Sequence, residues 1–179
     1  MNFIFKPTSL PDVVLVKCER FQDERGSFSE VYKKDLFEEV GIGPFVQENY
    51  SLSVKGVIRG LHYQARPEKI GKLVSCPHGI IYDVAVDIRR LSPTFGKWTA
   101  AVLDNGDAML WIPPGFAHGF AVLSDTANVL YRQTGYYSKI KDRAIRWDDK
   151  MISIKWPVER PLISSKDKVA PLLCHAEVL

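Results

Sequence analysis

The chain alternates apolar and polar residues over short distances and rarely sustains a helical period. Val13-Val14-Leu15-Val16-Lys17 reads as a first strand, and Asp23-Glu24-Arg25-Gly26 as a turn leading into Ser27-Phe28-Ser29-Glu30-Val31-Tyr32. The polar–aromatic alternation of that second segment predicts a half-buried strand. Asp35-Leu36-Phe37-Glu38-Glu39-Val40 is the helical stretch of the first half, ended by Gly41. Phe45 to Ser51 and then Val57-Ile58-Arg59-Gly60-Leu61-His62-Tyr63-Gln64 continue the β pattern.

From Gly79 onward, short β-segments are separated by turn chemistry. In residues 80–88 one parity is Ile80, Tyr82, Val84, Val86 and Ile88, and the other carries Ile81, Asp83, Ala85 and Asp87. That pattern predicts one dry face and one partly polar face. Asn105-Gly106, between Ala100-Ala101-Val102-Leu103 and Ala108-Met109-Leu110-Trp111-Ile112, is a type I′ hairpin signal. Pro113-Pro114-Gly115 turns the chain into His118-Gly119-Phe120-Ala121-Val122-Leu123, and residues 128–134 follow as another strand. Evenly spaced short strands with turns between them indicate a mainly β fold, a double-sheet jelly roll of the cupin kind with short peripheral helices. The tail from Trp147 to Leu179, richer in proline and charge, is expected to pack outside as coil with a short helix or strand. No repeat or linker divides the 179 residues, so a single domain over 1–179 is expected.

Composition narrows the partners more than the fold. A net charge of +3 without a run of Lys or Arg argues against nucleic acid and limits any anionic partner to a small one. Met1 to Pro7 lacks the features of a secretory signal, and no apolar run approaches a membrane span. The expected place is the cytoplasm. Cys18, Cys76 and Cys174 show no metal-ligand spacing, and their odd number points to free thiols.

His62 is the first candidate for chemistry. It ends an apolar strand entry beside Arg59, Gly60 and Tyr63, with Lys72 a few residues on, and such clusters shift a histidine toward proton transfer. Strict alternation would put Arg59 and His62 on opposite faces, so if both serve one site the strand must bulge or end near Gly60. A metal-binding cupin would need a His-x-His pair and a glutamate; here the motif reads His62-Tyr63-Gln64, with His118 on a separate strand. No metal and no cofactor is therefore expected, and His62 must act through its proton. A base of that kind needs a carboxylate on its other ring nitrogen. Asp83, on the polar parity of its strand, and Asp167 are the two candidates, although spacing alone favours Asp167 as an exposed residue near a helix start. Tyr131 shares a strand face with Val129 and Gln133, and Tyr136-Tyr137 follow where that strand should end, placed to stack on a planar ring.

Together, Arg59-Gly60-Leu61-His62-Tyr63-Gln64, Gly71-Lys72-Leu73-Val74, Asp83-Val84-Ala85-Val86-Asp87, Ser92-Pro93-Thr94-Phe95-Gly96 and the run from Leu110 to Phe120 resemble the dTDP-4-dehydrorhamnose 3,5-epimerases. The resemblance runs in order from Asp23 to Asp167. It implies an isomerase that acts on dTDP-4-keto-6-deoxyglucose by removing protons beside the C4 ketone and returning them to the opposite face. Carried over by position, His62 is the base, Asp167 orients it, Tyr131 donates the proton across the ring, and Lys72 stabilises the enolate. Arg59 and His118 fall in the sugar and diphosphate pocket. Arg25, Glu30, Gln47, Asn49 and Lys166 match nucleotide or sugar contacts, Tyr137 matches the aromatic that stacks on thymine, and Asp83 is placed to orient His118. Two departures stand out: Asp142, a further expected contact, replaces a glutamate common in relatives, and Cys76-Pro77-His78 replaces an Arg-Gly type of turn. The resemblance also implies a homodimer that exchanges an N-terminal strand, so that Arg25 and Glu30 serve the partner's site. The alternatives are an enzyme that inverts only C3 or C5, or that takes another nucleotide-linked 4-keto sugar, and a nucleotide-sugar binding jelly roll without catalysis.

Overall fold

Alternating segments of this kind need two sheets to cover one another, and the computed structural model has that arrangement. It describes residues 3–67 and 70–179; Met1 and Asn2, part of the stretch read above for a signal, lie outside the described residues. The six-stranded sheet runs β1 (Phe3–Pro7), β2 (Val14–Cys18), β10 (Ala108–Ile112), β7 (Lys72–His78), β12 (Thr126–Gln133), β5 (Gln47–Val54). The five-stranded sheet runs β13 (Asp142–Ala144), β6 (Ile58–Gln64), β11 (Phe116–Val122), β8 (Ile80–Asp87), β9 (Trp98–Asp104). Every pairing within the sheets is antiparallel, and the architecture is the expected jelly roll.

Between the sheets Val74, Leu110, Ile112 and Val129 of one meet Ile81, Ala85, Phe116 and Val122 of the other, all buried. Each such large aliphatic side chain contributes about 1.5–3 kcal/mol by leaving water. The outer faces are covered separately. Helix α1 (Lys34–Glu39) lays Phe37 over Val16, Leu73, Met109 and Trp111 of the larger sheet. The tail covers the smaller sheet with Ile152, Leu173, Ala176 and Leu179. Asp149 fastens the tail, accepting from the Met151 and Leu173 amides at 2.7 Å each.

Five expectations are corrected. The strand at Val14–Cys18 is the second one, because the short β1 precedes it. The segment after Gly26 is not half-buried: β4 (Gly26–Ser29) pairs only with β3 (Arg20–Asp23), and this hairpin exposes Phe21 and Phe28. In β8 the parity holding Asp83 and Asp87 is the fully buried one facing the opposite sheet, while Ile80 and Tyr82 of the apolar parity are only half-buried, Tyr82 against Trp156 of the tail. Asn105 and Gly106 do adopt the positive φ values, 42° and 78°, that a type I′ turn requires. Yet β9 and β10 belong to different sheets, so this turn is a corner. Asn105 is tied to the neighbouring β7–β8 connection by hydrogen bonds in both directions with Gly79, each 3.0 Å. Cys76-Pro77-His78 is likewise the end of β7 rather than a turn, with Cys76 in the core.

Asp87 anchors the loop from Arg89 to Thr94. Its carboxylate accepts from Arg89 at 2.7 Å, Thr94 at 2.6 Å and Ser92. Burial pushes its pKa up, but these hydrogen bonds outweigh burial and hold it at about 2, below the ordinary 3.8. A carboxylate with a lowered folded pKa stabilises the protein above its unfolded value and loses that contribution as pH falls through the folded one. Asp87→Asn is therefore expected to cost about 2 kcal/mol in urea unfolding at neutral pH, with the difference from the parent chain disappearing as pH approaches about 2.

Candidate active site

The site lies between the sheets, and a surplus residue in β6 creates it. His62 is paired with His118 and Arg59 with Phe120, so two residues of β6 oppose the single Gly119 of β11. The bulge at Gly60 and Leu61 restores Arg59 and His62 to the same face, as alternation demanded. Only glycine fits: Gly60 has φ +137°, and a Cβ there would stand 2.6 Å from the Gly119 Cα. Leu61 meanwhile turns outward into the layer under the tail.

His62 Nε2 lies 2.7 Å from Asp167 Oδ1. Asp167 sits in the first turn of α2 (Ser165–Lys168), where its amide donates to the capping Ser164 hydroxyl at 3.1 Å. It is near a helix start, as spacing suggested, but it is 3% exposed rather than solvated, because the turn folds inward against β6. Burial raises the Asp167 pKa; the His62 hydrogen bond and charge, with help from the Gly60 amide and Ser164, lower it by more, so the carboxylate stays ionised. With that anion on Nε2, the other ring nitrogen is free to take a proton.

The other sheet supplies the opposite wall. Tyr131 points inward from β12 with Val129 and Gln133, and burial, partly offset by Arg59, raises its phenol pKa, so it keeps its proton. Lys72 begins β7; its ammonium reaches the His62 carbonyl at 3.5 Å. Burial pulls the Lys72 pKa down to about 8, against the opposing charges of Asp83 and Asp142. A cavity of about 50 Å³ is lined by Arg59, His62, Lys72, His118, Phe120 and Tyr131. His118 Nε2 lies 2.7 Å from Asp83 Oδ1, with both residues buried. Of the two candidate carboxylates, Asp167 therefore serves His62 and Asp83 serves His118.

A second cavity of about 170 Å³ continues outward past His62, Lys72 and Tyr131 to Asn49, Tyr137, Asp142 and Lys166. Asp142 holds its mouth, accepting from Tyr137 Oη at 3.2 Å and pairing with Lys166. Gln47 donates to Asn49 at 3.0 Å and accepts from the Tyr137 amide at 2.9 Å, which fixes the tyrosine's approach. Arg59 is braced by Ser53 Oγ at 2.9 Å. On another side of His62 an open groove of about 400 Å³ is floored by Arg59, Ser164, Lys166 and Lys168. Arg25 and Glu30 are not brought to these cavities: Arg25 lies on the β3–β4 hairpin against Asp23, and Glu30 follows the end of β4. Sequence reasoning missed Gln64 and Gln133, which line the outer cavity. The period of two could have found them, since each follows a named site residue, His62 or Tyr131, by two positions.

Among the described residues no three His, Cys, Asp or Glu side chains gather as metal ligands, and no helix is long and apolar enough to cross a membrane. The arrangement can take a proton from one side of a small ring, offer one from the other, and hold a developing oxyanion with a buried cation.

Comparison with known proteins agrees with this geometry. Residues 7–175 match the family model described as dTDP-4-dehydrorhamnose 3,5-epimerase. The dTDP-4-dehydrorhamnose 3,5-epimerase of Shigella flexneri is 52% identical, with 93% of each chain covered. Among solved structures, a dTDP-6-deoxy-D-glucose-3,5-epimerase from Legionella pneumophila in complex with dTDP-4-keto-L-rhamnose superimposes with a TM-score of 0.94 at 42% identity, over 97% of this chain and 94% of that one. The dTDP-4-dehydrorhamnose 3,5-epimerase from Sulfolobus tokodaii gives 0.93 at 45% identity, over 100% and 99%. A bulged strand that turns a histidine–aspartate pair into a hollow between the sheets, on a chain matched by the family model over residues 7–175, places this protein in the dTDP-4-dehydrorhamnose 3,5-epimerase family, whose members are isomerases.

Proposed function

We propose that the chain converts dTDP-4-keto-6-deoxyglucose to dTDP-4-keto-rhamnose by inverting C3 and C5. The reading rests on one observation above all: His62 on one sheet, held by Asp167 of α2, and Tyr131 on the other sheet line a common cavity. The substrate's C4 ketone makes the hydrogens on C3 and C5 acidic. His62 removes one of them, the electron pair moves to O4, and Lys72 as ammonium stabilises the enolate. Tyr131 then delivers a proton to the opposite face of the same carbon, which inverts it. The ketone is itself the electron sink, so neither step calls for a cofactor. Arg59 and Lys166 are the cations for the diphosphate, Tyr137 is the surface for the thymine ring, and His118, Gln47, Asn49 and Asp142 set the sugar's position.

The working unit is a homodimer of single-domain chains, each spanning 1–179. The exposed Phe21 and Phe28 of the β3–β4 hairpin and the exposed outer face of β5 (Tyr50, Leu52, Val54) support a second copy covering them. In that assembly Arg25 and Glu30 complete the partner's site. The unpaired thiols of Cys18, Cys76 and Cys174 suit the reducing cytoplasm.

Proton NMR of the dTDP-4-keto-6-deoxyglucose reaction in heavy water tests the reading. Deuterium is expected at both C3 and C5 of an inverted product, with the rate unchanged by chelator. Labelling at one carbon would mean a single epimerisation, and labelling at neither would mean a binding protein.

A further inference from the structure

Asp83 is the most deeply placed carboxylate beside the site, and only one of its oxygens is accounted for. Oδ1 meets His118 Nε2 at 2.7 Å; Oδ2 is buried and, among the described residues, has no hydrogen-bond partner. A buried carboxylate oxygen left without a donor is costly unless a positive charge lies near it. His118 does not supply that charge. Burial lowers its pKa, and Lys72 and His62 lower it further, against the pull of Asp83, so the imidazole is neutral and gives the carboxylate a hydrogen bond without cancelling it. Two cations line the inner cavity with His118: Arg59, braced by Ser53, and Lys72, which begins β7 in the opposite sheet and whose charged form Asp83 and Asp142 both favour, Asp83 the more.

We propose that Asp83 is a positioning residue for the epimerisation: its negative charge keeps Lys72 an ammonium ion, and so sets the alkaline limit of turnover. The inference rests on the reading of Lys72 as the group that stabilises the enolate. The other charged or titratable groups around Lys72 cannot take over the role. His62 and Arg59 on β6, His118 on β11 and Tyr131 on β12 are neutral or positive in the working enzyme. Asp142 on β13 is attractive, but its carboxylate is engaged by Tyr137 and by Lys166 of α2. Lys72, with a pKa of about 8, is the first of these groups to fail as pH rises, because the Tyr131 phenol is held above its usual range.

Asp83→Asn keeps the shape and an acceptor for His118 while removing the charge. In the variant, the Lys72 titration, followed by NMR of lysine-labelled protein without substrate, is expected to move down by about one pH unit. The alkaline limb of the deuterium wash-in rate should move with it. Turnover would be near that of the parent at about pH 6, roughly fivefold slower at pH 8 and tenfold slower at pH 9. An unmoved Lys72 titration overturns the proposal whatever the enzyme does. A titration that moves while the rate profile stays put overturns the assignment of Lys72 to the enolate, and with it the claim on the alkaline limit. If Asp83→Asn does not fold, Lys72→Arg offers the second test. A guanidinium keeps its proton throughout, so the limb should vanish; a limb that persists overturns the proposal.

Discussion

His62→Ala is expected to abolish deuterium wash-in at both C3 and C5 while dTDP still binds. The two positions share one base, so both should fall together, at the upper end of the roughly 10²–10⁴-fold that a positioned general base supplies. The groups proposed for the nucleotide, Tyr137 and Lys166, are other side chains, so affinity for dTDP should change little. The substitution also leaves Asp167, 3% exposed, without its main partner. A lower melting temperature is expected, and His62→Asn, which can still donate to that carboxylate, separates this cost from the chemistry. Undiminished wash-in in either variant would reassign the base.

Tyr131→Phe should split the reaction rather than stop it. With His62 and Lys72 intact, the proton still leaves and the enolate still forms, so deuterium from solvent returns to the face it came from. Inverted product is expected to fall by roughly 10²–10⁴-fold, the range for losing a general acid, while labelled but uninverted substrate accumulates. Coupling constants in the same NMR experiment distinguish the two species. Normal yield of inverted product would remove the phenol from the donor's role. The loss should not arise from misfolding, because phenylalanine fills the same half-buried place on β12 and, among the described residues, the phenol has no hydrogen-bond partner to lose.

Much of this was legible in the chain because period-two patterning reports which residues share a face. Tyr131 with Gln133 was readable that way, as was the need for a bulge beside Gly60. What local pattern could not carry was which surface each face would meet. Asp83 and Asp87 look like the polar part of one β8 face but are fully buried, because that face meets the opposite sheet; His118 on the adjacent strand β11 bonds Asp83, and the loop from Arg89 to Thr94 holds Asp87. Asn105-Gly106 specifies its own backbone faithfully and says nothing of the two strands' destinations, which the long-range pairings of β9 and β10 decide. Asp167 reads as a capped-turn residue and is one; its burial depends on β6, 105 positions earlier. The exposed hairpin departs from expectation for a related reason: alternation predicts a covered face without saying that the same chain covers it.

The surplus residue at Gly60 and Leu61 also bears on how such a protein can be lost or altered. Deleting one residue there would mend the ladder and leave an orderly sheet, with Arg59 thrown to the far side of the strand from the imidazole. The scaffold would survive that lesion, yet the cation proposed to anchor the nucleotide's phosphates would be gone. A descendant carrying the regularised strand would look sound by every measure of folding and be silent as an enzyme, so counting residues between that arginine and that histidine is a direct way to tell working copies from retired ones.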